Sequence, residues 1–167
     1  DWDHHIAYLE SARNSVLTYK QIPLWNPYHC GGLPALGDPQ SGIISVTFLL
    51  VLIFGTVVGV KLSLITHFFI ALFSCFKLFE YIKFSKRASI FGSIVFTFSG
   101  VASSALSVGM LPFLYFSYLP LVALFIYKGL KEKAILKNSL ISGLALALIF
   151  YGGYQVAMFT LPIIAIY

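Results

Sequence analysis

The sequence is dominated by apolar stretches long enough to cross a bilayer, and that constraint narrows the fold more than any other. Residues 43–60, 62–76, 88–108 and 111–127 each hold such a run, and two more follow Lys137. A run of about 18 or more apolar residues marks a transmembrane helix, because that length covers the hydrocarbon thickness. Charge content agrees. Only 10% of residues are charged and 59% are hydrophobic, whereas soluble domains carry roughly 25% charged residues. So few charges cannot clothe a water-facing surface, so lipid is part of the solvent. The expected fold class is all-α, a polytopic transmembrane helical bundle. Helices are expected near 3–20, 43–58, 60–82, 88–108, 112–128, 135–151 and 155–167, giving about five spans with the last truncated. The chain starts at Asp1 without a Met and stops inside an apolar run at Tyr167, and is read as a fragment.

Residues 1–41 differ from everything after them, and the sequence divides there into a polar segment and a transmembrane region over 42–167. The polar segment holds Asp1, Asp3, His4, His5, Glu10, Arg13, Lys20, His29 and Asp38. Asp3 followed by Ile6, Leu9, Ala12, Val16 and Leu17 predicts a helix with an acid near its N-terminus and one apolar stripe. Pro23 ends it, and 21–41 is expected to be irregular, with Trp25 and Tyr28 suited to a membrane interface.

Basic residues set the topology. Lys77, Lys83, Lys86 and Arg87 form one cluster, and Lys128, Lys131, Lys133 and Lys137 another. The positive-inside rule puts both in the cytoplasm. The runs between them then form a hairpin turning outside near Gly109–Pro112, and Gly152–Gln155 makes a second outer turn. Residues 43–60 leave a choice. If 43–60 and 62–82 both span, residues 1–41 are cytoplasmic. If 43–58 is a juxtamembrane or re-entrant helix, they lie outside. Gly55, Gly59 and Lys61 interrupt the apolar pattern there. The net charge of +5 sits mostly in the two clusters. No stripe of base-stacking aromatics accompanies it, so no nucleic-acid partner is expected.

Several residues are candidates for chemistry. Two nearby carboxylates, Asp1 and Asp3, suit a general base or an oxygen-ligand site for a divalent cation such as Mg or Mn; a dipole-favoured helix N-terminus is the plainer reading. His4 and His5 are adjacent and point to different helix faces, and no metal-ligand spacing accompanies them. The Gly31-Gly32 pair after His29 and Cys30 permits a backbone cradle for phosphate, or simply a tight loop. His67 lies inside a span, where ionisable groups are functional candidates by default, though a hydrogen bond within the bundle also explains it. Lys77 and Glu80, at i, i+3, read as a surface pair near a helix end.

The combination is more specific than its parts. Asp1-Trp2-Asp3-His4-His5, then Pro23 to Pro34 (PLWNPYHCGGLP), then Asp38-Pro39-Gln40-Ser41, resembles the first extracytoplasmic loop of YfhO-like membrane proteins, within the GT-C glycosyltransferase superfamily. Phe96 to Gly100, Leu119-Pro120-Leu121 and Gly152-Gly153-Tyr154-Gln155 also look like that family, in which the last stretch often reads Gly-His-Pro-Gln. The resemblance implies a membrane glycosyltransferase in the plasma (inner) membrane of a prokaryote. Such an enzyme transfers sugar, with inversion, from a polyprenyl-phosphate donor to an extracytoplasmic acceptor in the cell envelope. It implies that residues 1–41 follow a first transmembrane helix, lie outside the cytoplasm, and precede a re-entrant or juxtamembrane 43–58. Asp3 is the first choice for the catalytic base and Asp1 the second. Arg13, Lys61 and the Gly31-Gly32 backbone are the candidates for the phosphate, and Trp25, Asn26, His29 and Gln40 complete the substrate-binding set. The competing expectations are a non-catalytic protein assisting envelope glycopolymer assembly, or a transporter.

Overall fold

The computed structural model of the protein describes residues 1–38, 40–132 and 134–166, with side chains as far as Thr160; expectations placed on Pro39, Lys133, Tyr167 and the ring of Pro162 lie outside them. The described residues are all-α apart from one short β ladder. Helix α1 (Trp2–Leu17) is followed by β1 (Trp25–Asn26) and β2 (Leu33–Pro34), then α2 (Val46–Phe54) and α3 (Thr56–Tyr81). Next come α4 (Lys86–Thr97), α5 (Gly100–Val108), a 3-10 segment (Leu111–Tyr118), α6 (Leu119–Lys131), α7 (Ile135–Gly152) and α8 (Tyr154–Ile166). Four stretches among the described residues are long and apolar enough to cross a membrane: Thr56–Tyr81, Lys86–Val108, Leu111–Lys131 and Ile135–Gly152. Even the most enclosed of them is only 44% buried within the protein. Exposed Ile65, Phe69, Phe73 and Phe91 line outward faces that only lipid can cover. The chain is an integral membrane protein.

Three departures from the sequence expectation have local causes. The expected helix over 88–108 is broken, because Ser99 is extended (φ −61°, ψ 159°) between α4 and α5. The Ser99-Gly100 pair is a common place for a helix to yield. The expected helix over 112–128 begins as a 3-10 segment. An α-helix through this point needs an N–H from residue 120 to the Phe116 carbonyl, and Pro120 has none. Leu119 N–H takes that carbonyl instead, in the tighter pattern. Residues 21–41, expected to be irregular, contain the antiparallel β1–β2 pair with Trp25 opposite Pro34 and Asn26 opposite Leu33.

The segment over 43–58 is a short hairpin arm rather than a span. Helix α2 has nine residues, a rise of about 13 Å against roughly 30 Å of hydrocarbon. Ser45 caps it by accepting from Phe48 N–H at 3.0 Å. Gly55, at φ +83°, turns it directly into α3, a conformation open to glycine at no steric cost. Thr47 lies against Ser63 at 2.6 Å, and a Cβ on Gly59 would strike the backbone of Val51. Helix α2 therefore runs antiparallel to the start of α3, and both ends of the arm return toward α1. Gly42 lines a cavity with His5, and the Thr56 hydroxyl donates to Glu10.

The same contacts fix the two ends of the bundle. The α1 end meets the start of α3, the end of α5 (Asp1 N–H to Val108 O) and, through Gln40, the Tyr154 hydroxyl beyond α7. The lysine-bearing turns 82–86 and around Lys131 lie at the other ends of these same helices. The polar segment and the basic clusters thus occupy opposite ends of the protein.

The close α2–α3 approach yields a stability prediction. Gly59→Leu should destabilise the protein by about 1–3 kcal/mol, the usual cost of overpacking. Gly100→Ala, where an added Cβ meets no atom within 4 Å, should be neutral or stabilising. Thermal unfolding of both variants in detergent measures the difference, and equal melting temperatures would refute the close contact.

Candidate functional site

Helix periodicity places His4, Tyr8, Ser11 and Ser15 along one face of α1, at i+4, i+3 and i+4. That face receives the rest of the polar segment. Buried Asn26 accepts from Ser11 Oγ at 2.8 Å and from Tyr28 N–H at 3.1 Å. One carboxamide thereby ties the β1–β2 loop both to itself and to α1. Between the strands, Cys30, Gly31 and Gly32 all adopt positive φ (48°, 80° and 116°). At Gly32 a side chain would run into the Trp25 indole, whereas Gly31 faces open space. The tight turn brings His29 back over α1. Its ring centroid lies 5.4 Å from His4 and 5.3 Å from Tyr8.

The 38–41 turn closes the cluster from the other side. Gln40 N–H donates to Asp38 Oδ1 at 2.8 Å. His4 Nε2 lies 3.1 Å from Gln40 Oε1, close enough for a ring N–H to donate to the carboxamide oxygen. Gln40 Nε2 reaches the Tyr154 hydroxyl at 3.3 Å, which also accepts from Gln155 Nε2 at 3.2 Å. The result is a polar assembly of His4, Tyr8, His29, Asp38, Gln40 and Tyr154, joining the loop to the α7–α8 turn. Burial, and then the Asp38 carboxylate beside it, push the Tyr8 phenol up to about 12. Tyr8 is therefore a proton donor, never a phenolate, at neutral pH.

Two openings adjoin this assembly. His5, Gln40, Ser45, Thr47 and Tyr115 help to line a cavity of about 20 Å³, room for a single water among several polar partners. A wider cleft of about 160 Å³ lies between the 36–44 segment and the α7–α8 turn. Its polar wall is Asp38, Ser41 and Tyr154, and its apolar wall includes Ile44, Phe150 and Tyr151, all three well exposed.

The residues singled out in the sequence are distributed unevenly around this site. Asn26, His29 and Gln40 belong to it, and Gly31 and Gly32 shape it. Trp25 is exposed and packs on Gly32. Asp1 and Asp3 are exposed at the start of α1. Asp3 shares a stripe with exposed Ala7, turned away from the His4–Tyr8 face. Arg13 pairs with Glu10 at 3.8 Å. It lies ten residues beyond Asp3, about 15 Å along the helix axis, too far for the two to grip the same bond. Lys61 is exposed on α3. Among the described residues no three His, Cys, Asp or Glu side chains converge as a metal site, and no step is assigned to a divalent cation. His67 Nδ1 donates to Ser63 O at 2.8 Å, and the ring packs edge-on against Tyr115.

Sequence reading did not single out Tyr8, Asp38 or Tyr154 as site residues. Tyr8 was recoverable from its i+4 spacing to His4. Tyr154 was not, since its partner Gln40 is 114 residues away. No family model matches the chain, and no curated protein or solved structure does either.

His5 gives the site a pH dependence. Burial foremost, then the neighbouring His4, lower its imidazole from 6.5 to about 4. The folded state therefore resists a proton that the unfolded chain accepts below 6.5. The stabilisation is complete above 6.5 and is lost as pH falls toward 4, by an amount on the order of 3 kcal/mol. Unfolding free energy measured from pH 7 to pH 4 should decline less steeply in His5→Gln than in the wild type. Identical slopes would show that His5 does not carry the effect.

Proposed function

We propose that the protein is a membrane glycosyltransferase that takes a sugar from a polyprenyl-phosphate donor and passes it, with inversion, to an acceptor outside the cytoplasm. The observation that carries this reading is the placement of the polar segment. It folds as a cap over the bundle end opposite both lysine clusters, with two exposed carboxylates at its rim and a half-polar, half-apolar cleft at its edge. Under the positive-inside rule that end faces away from the cytoplasm, the side on which the resemblance to YfhO-like proteins puts the loop. The membrane would be the plasma membrane of a prokaryote.

The chemistry follows from the donor. A polyprenyl tail belongs among lipid-facing side chains such as Ile44 and Phe150, and its phosphate and sugar belong at the interface above them. The acceptor hydroxyl gives its proton to a carboxylate within about 3 Å. Its oxygen forms the new bond to the anomeric carbon, and the bond from that carbon to the phosphate oxygen breaks, the electron pair leaving with the polyprenyl phosphate. Asp3 is the proposed base and Asp1 the proposed orienting group. The backbone N–H of Gly31, in a turn that the Gly32 N–H closes onto His29 O at 2.8 Å, is with Lys61 the proposed partner of the leaving phosphate, since Arg13 lies too far along α1 from Asp3 to share the step.

One observation favours a second reading, a non-catalytic protein that assists envelope glycopolymer assembly. Among the described residues the side chains of Asp1 and Asp3 have no hydrogen-bond or ion-pair partner, while the loop's polar cluster is engaged in joining loop to bundle.

Two measurements test these statements. In intact cells, a membrane-impermeant maleimide should label exposed Cys30 and, in a Cys30→Ser background, Asp38→Cys, while sparing Ser85→Cys; the opposite pattern would reverse the topology. Transfer of radiolabelled sugar from a polyprenyl-phosphate donor by the full-length protein should fall about 10²–10⁴-fold in Asp3→Asn with donor binding kept. Full turnover in Asp3→Asn and loss in Asp1→Asn would exchange their roles. Loss only in Asp38→Asn would move the base to the cleft, and no loss in any of the three would favour the assembly reading.

A further inference from the structure

At the opposite end of the bundle, α3 and α6 frame a lateral groove of about 420 Å³. Its floor is apolar, from Phe73, Leu121, Leu124 and Phe125. Two lysines stand at its mouth. Lys128 Nζ lies over the rings of Tyr81 and Phe125, at 5.5 and 5.4 Å from their centroids. Lys77 Nζ lies 5.4 Å from the Phe76 centroid and 2.9 Å from Glu80 Oε2. Among the described residues Lys128 has no carboxylate partner, so its charge is held by aromatic faces alone. The Tyr81 hydroxyl donates to Glu132 Oε1 at 3.2 Å, joining the two helices beside the groove. This turns Glu132, the nearest acid of α6's end, toward Tyr81.

We propose that this groove binds an anionic phospholipid, with the phosphate between Lys77 and Lys128 and an acyl chain along Phe73, Leu121 and Phe125. Three features point to that occupant. The groove opens sideways, where Phe73 is 65% exposed, so its neighbour is the bilayer and not water. The residues that line it carry two lysines against one acid, Glu80, with Glu132 outside the lining and engaged by the Tyr81 hydroxyl, a balance that suits an anionic headgroup better than a zwitterionic one. Basic pockets between helices at a membrane face recognise headgroups in this way. The cation–π contacts hold the two ammonium groups in place before a ligand arrives. The inference needs only the lysine end of the bundle and is independent of the transferase reading.

The test uses the full chain in detergent, titrated with phosphatidylglycerol or phosphatidylcholine and followed by native mass spectrometry and melting temperature. Phosphatidylglycerol should be retained preferentially and should raise the melting temperature. Lys77→Gln and Lys128→Gln should each weaken it about fivefold, the factor that corresponds to ~1 kcal/mol per basic residue, and the double variant should abolish the preference. Lys128→Arg should keep it, as should Lys20→Gln in the polar segment at the far end. Phe73→Ser, at an exposed position that should not disturb folding, should weaken lipid retention while leaving both lysines in place. Inorganic phosphate at the same concentrations should have no effect. Equal binding of the two lipids, a preference that survives in the double variant, or equal stabilisation by inorganic phosphate would each overturn the proposal.

Discussion

The protein depends on how closely other elements approach α3. Its inward side carries Gly59, Ser63, His67 and Ala71 at intervals of four, followed by Ser74 and Cys75, all buried. In lipid there is no hydrophobic gain from bringing two helices together, so association rests on close packing and hydrogen bonds, and small residues allow both. Gly59 lets α2 press against the backbone, and Ser63, through Thr47, reaches the Tyr115 hydroxyl at 3.1 Å. The Ser74 hydroxyl lies 3.3 Å from Ser117 O. The short arm, the long span and the 3-10 segment are thereby held by one buried polar seam. Each such bond is modest in lipid, on average about 0.6 kcal/mol, but their geometry admits only one register.

That register decides what happens at the α1 end. Helix α2 is too short to cross and folds back along the start of α3, and α1 lies over this end of the bundle, with Glu10 held by the Thr56 hydroxyl. A glycine at a neighbouring turn allows it to lie close. A side chain on Gly109 would strike Trp2. The start of α1 is therefore seated on backbone there, and the helix presents its polar face to Gln40 and, through it, to Tyr154.

Much of the fold was legible because it follows from solvent. Long runs of apolar residues predict spans, and four such helices are present among the described residues. Interruptions were harder to read. Ser99-Gly100 and Pro120 act on individual hydrogen bonds, which hydrophobic periodicity averages away. The β1–β2 pair has two residues per strand and no alternation to detect. The candidate site was legible only in part. His29, Asn26 and Gln40 stood out through their setting among Pro and Gly, but their assembly depends on contacts between residues 15 to 114 positions apart, such as Ser11 with Asn26 and Gln40 with Tyr154. A single sequence carries no record of such distant pairings, and Asp1 and Asp3 drew notice as a pair although the fold sets Asp3 away from the His4–Tyr8 face.

The cleft beside Asp38 has its apolar wall on Ile44, Phe150 and Tyr151, and the cap closes the bundle above it. A molecule reaching that carboxylate along the apolar wall travels in the plane of the bilayer. Its search is two-dimensional, and occupancy follows its mole fraction in the surrounding lipid, not its concentration in water. A hydrophilic analogue of such a ligand, stripped of its tail, would lose this route whatever its fit to the polar wall.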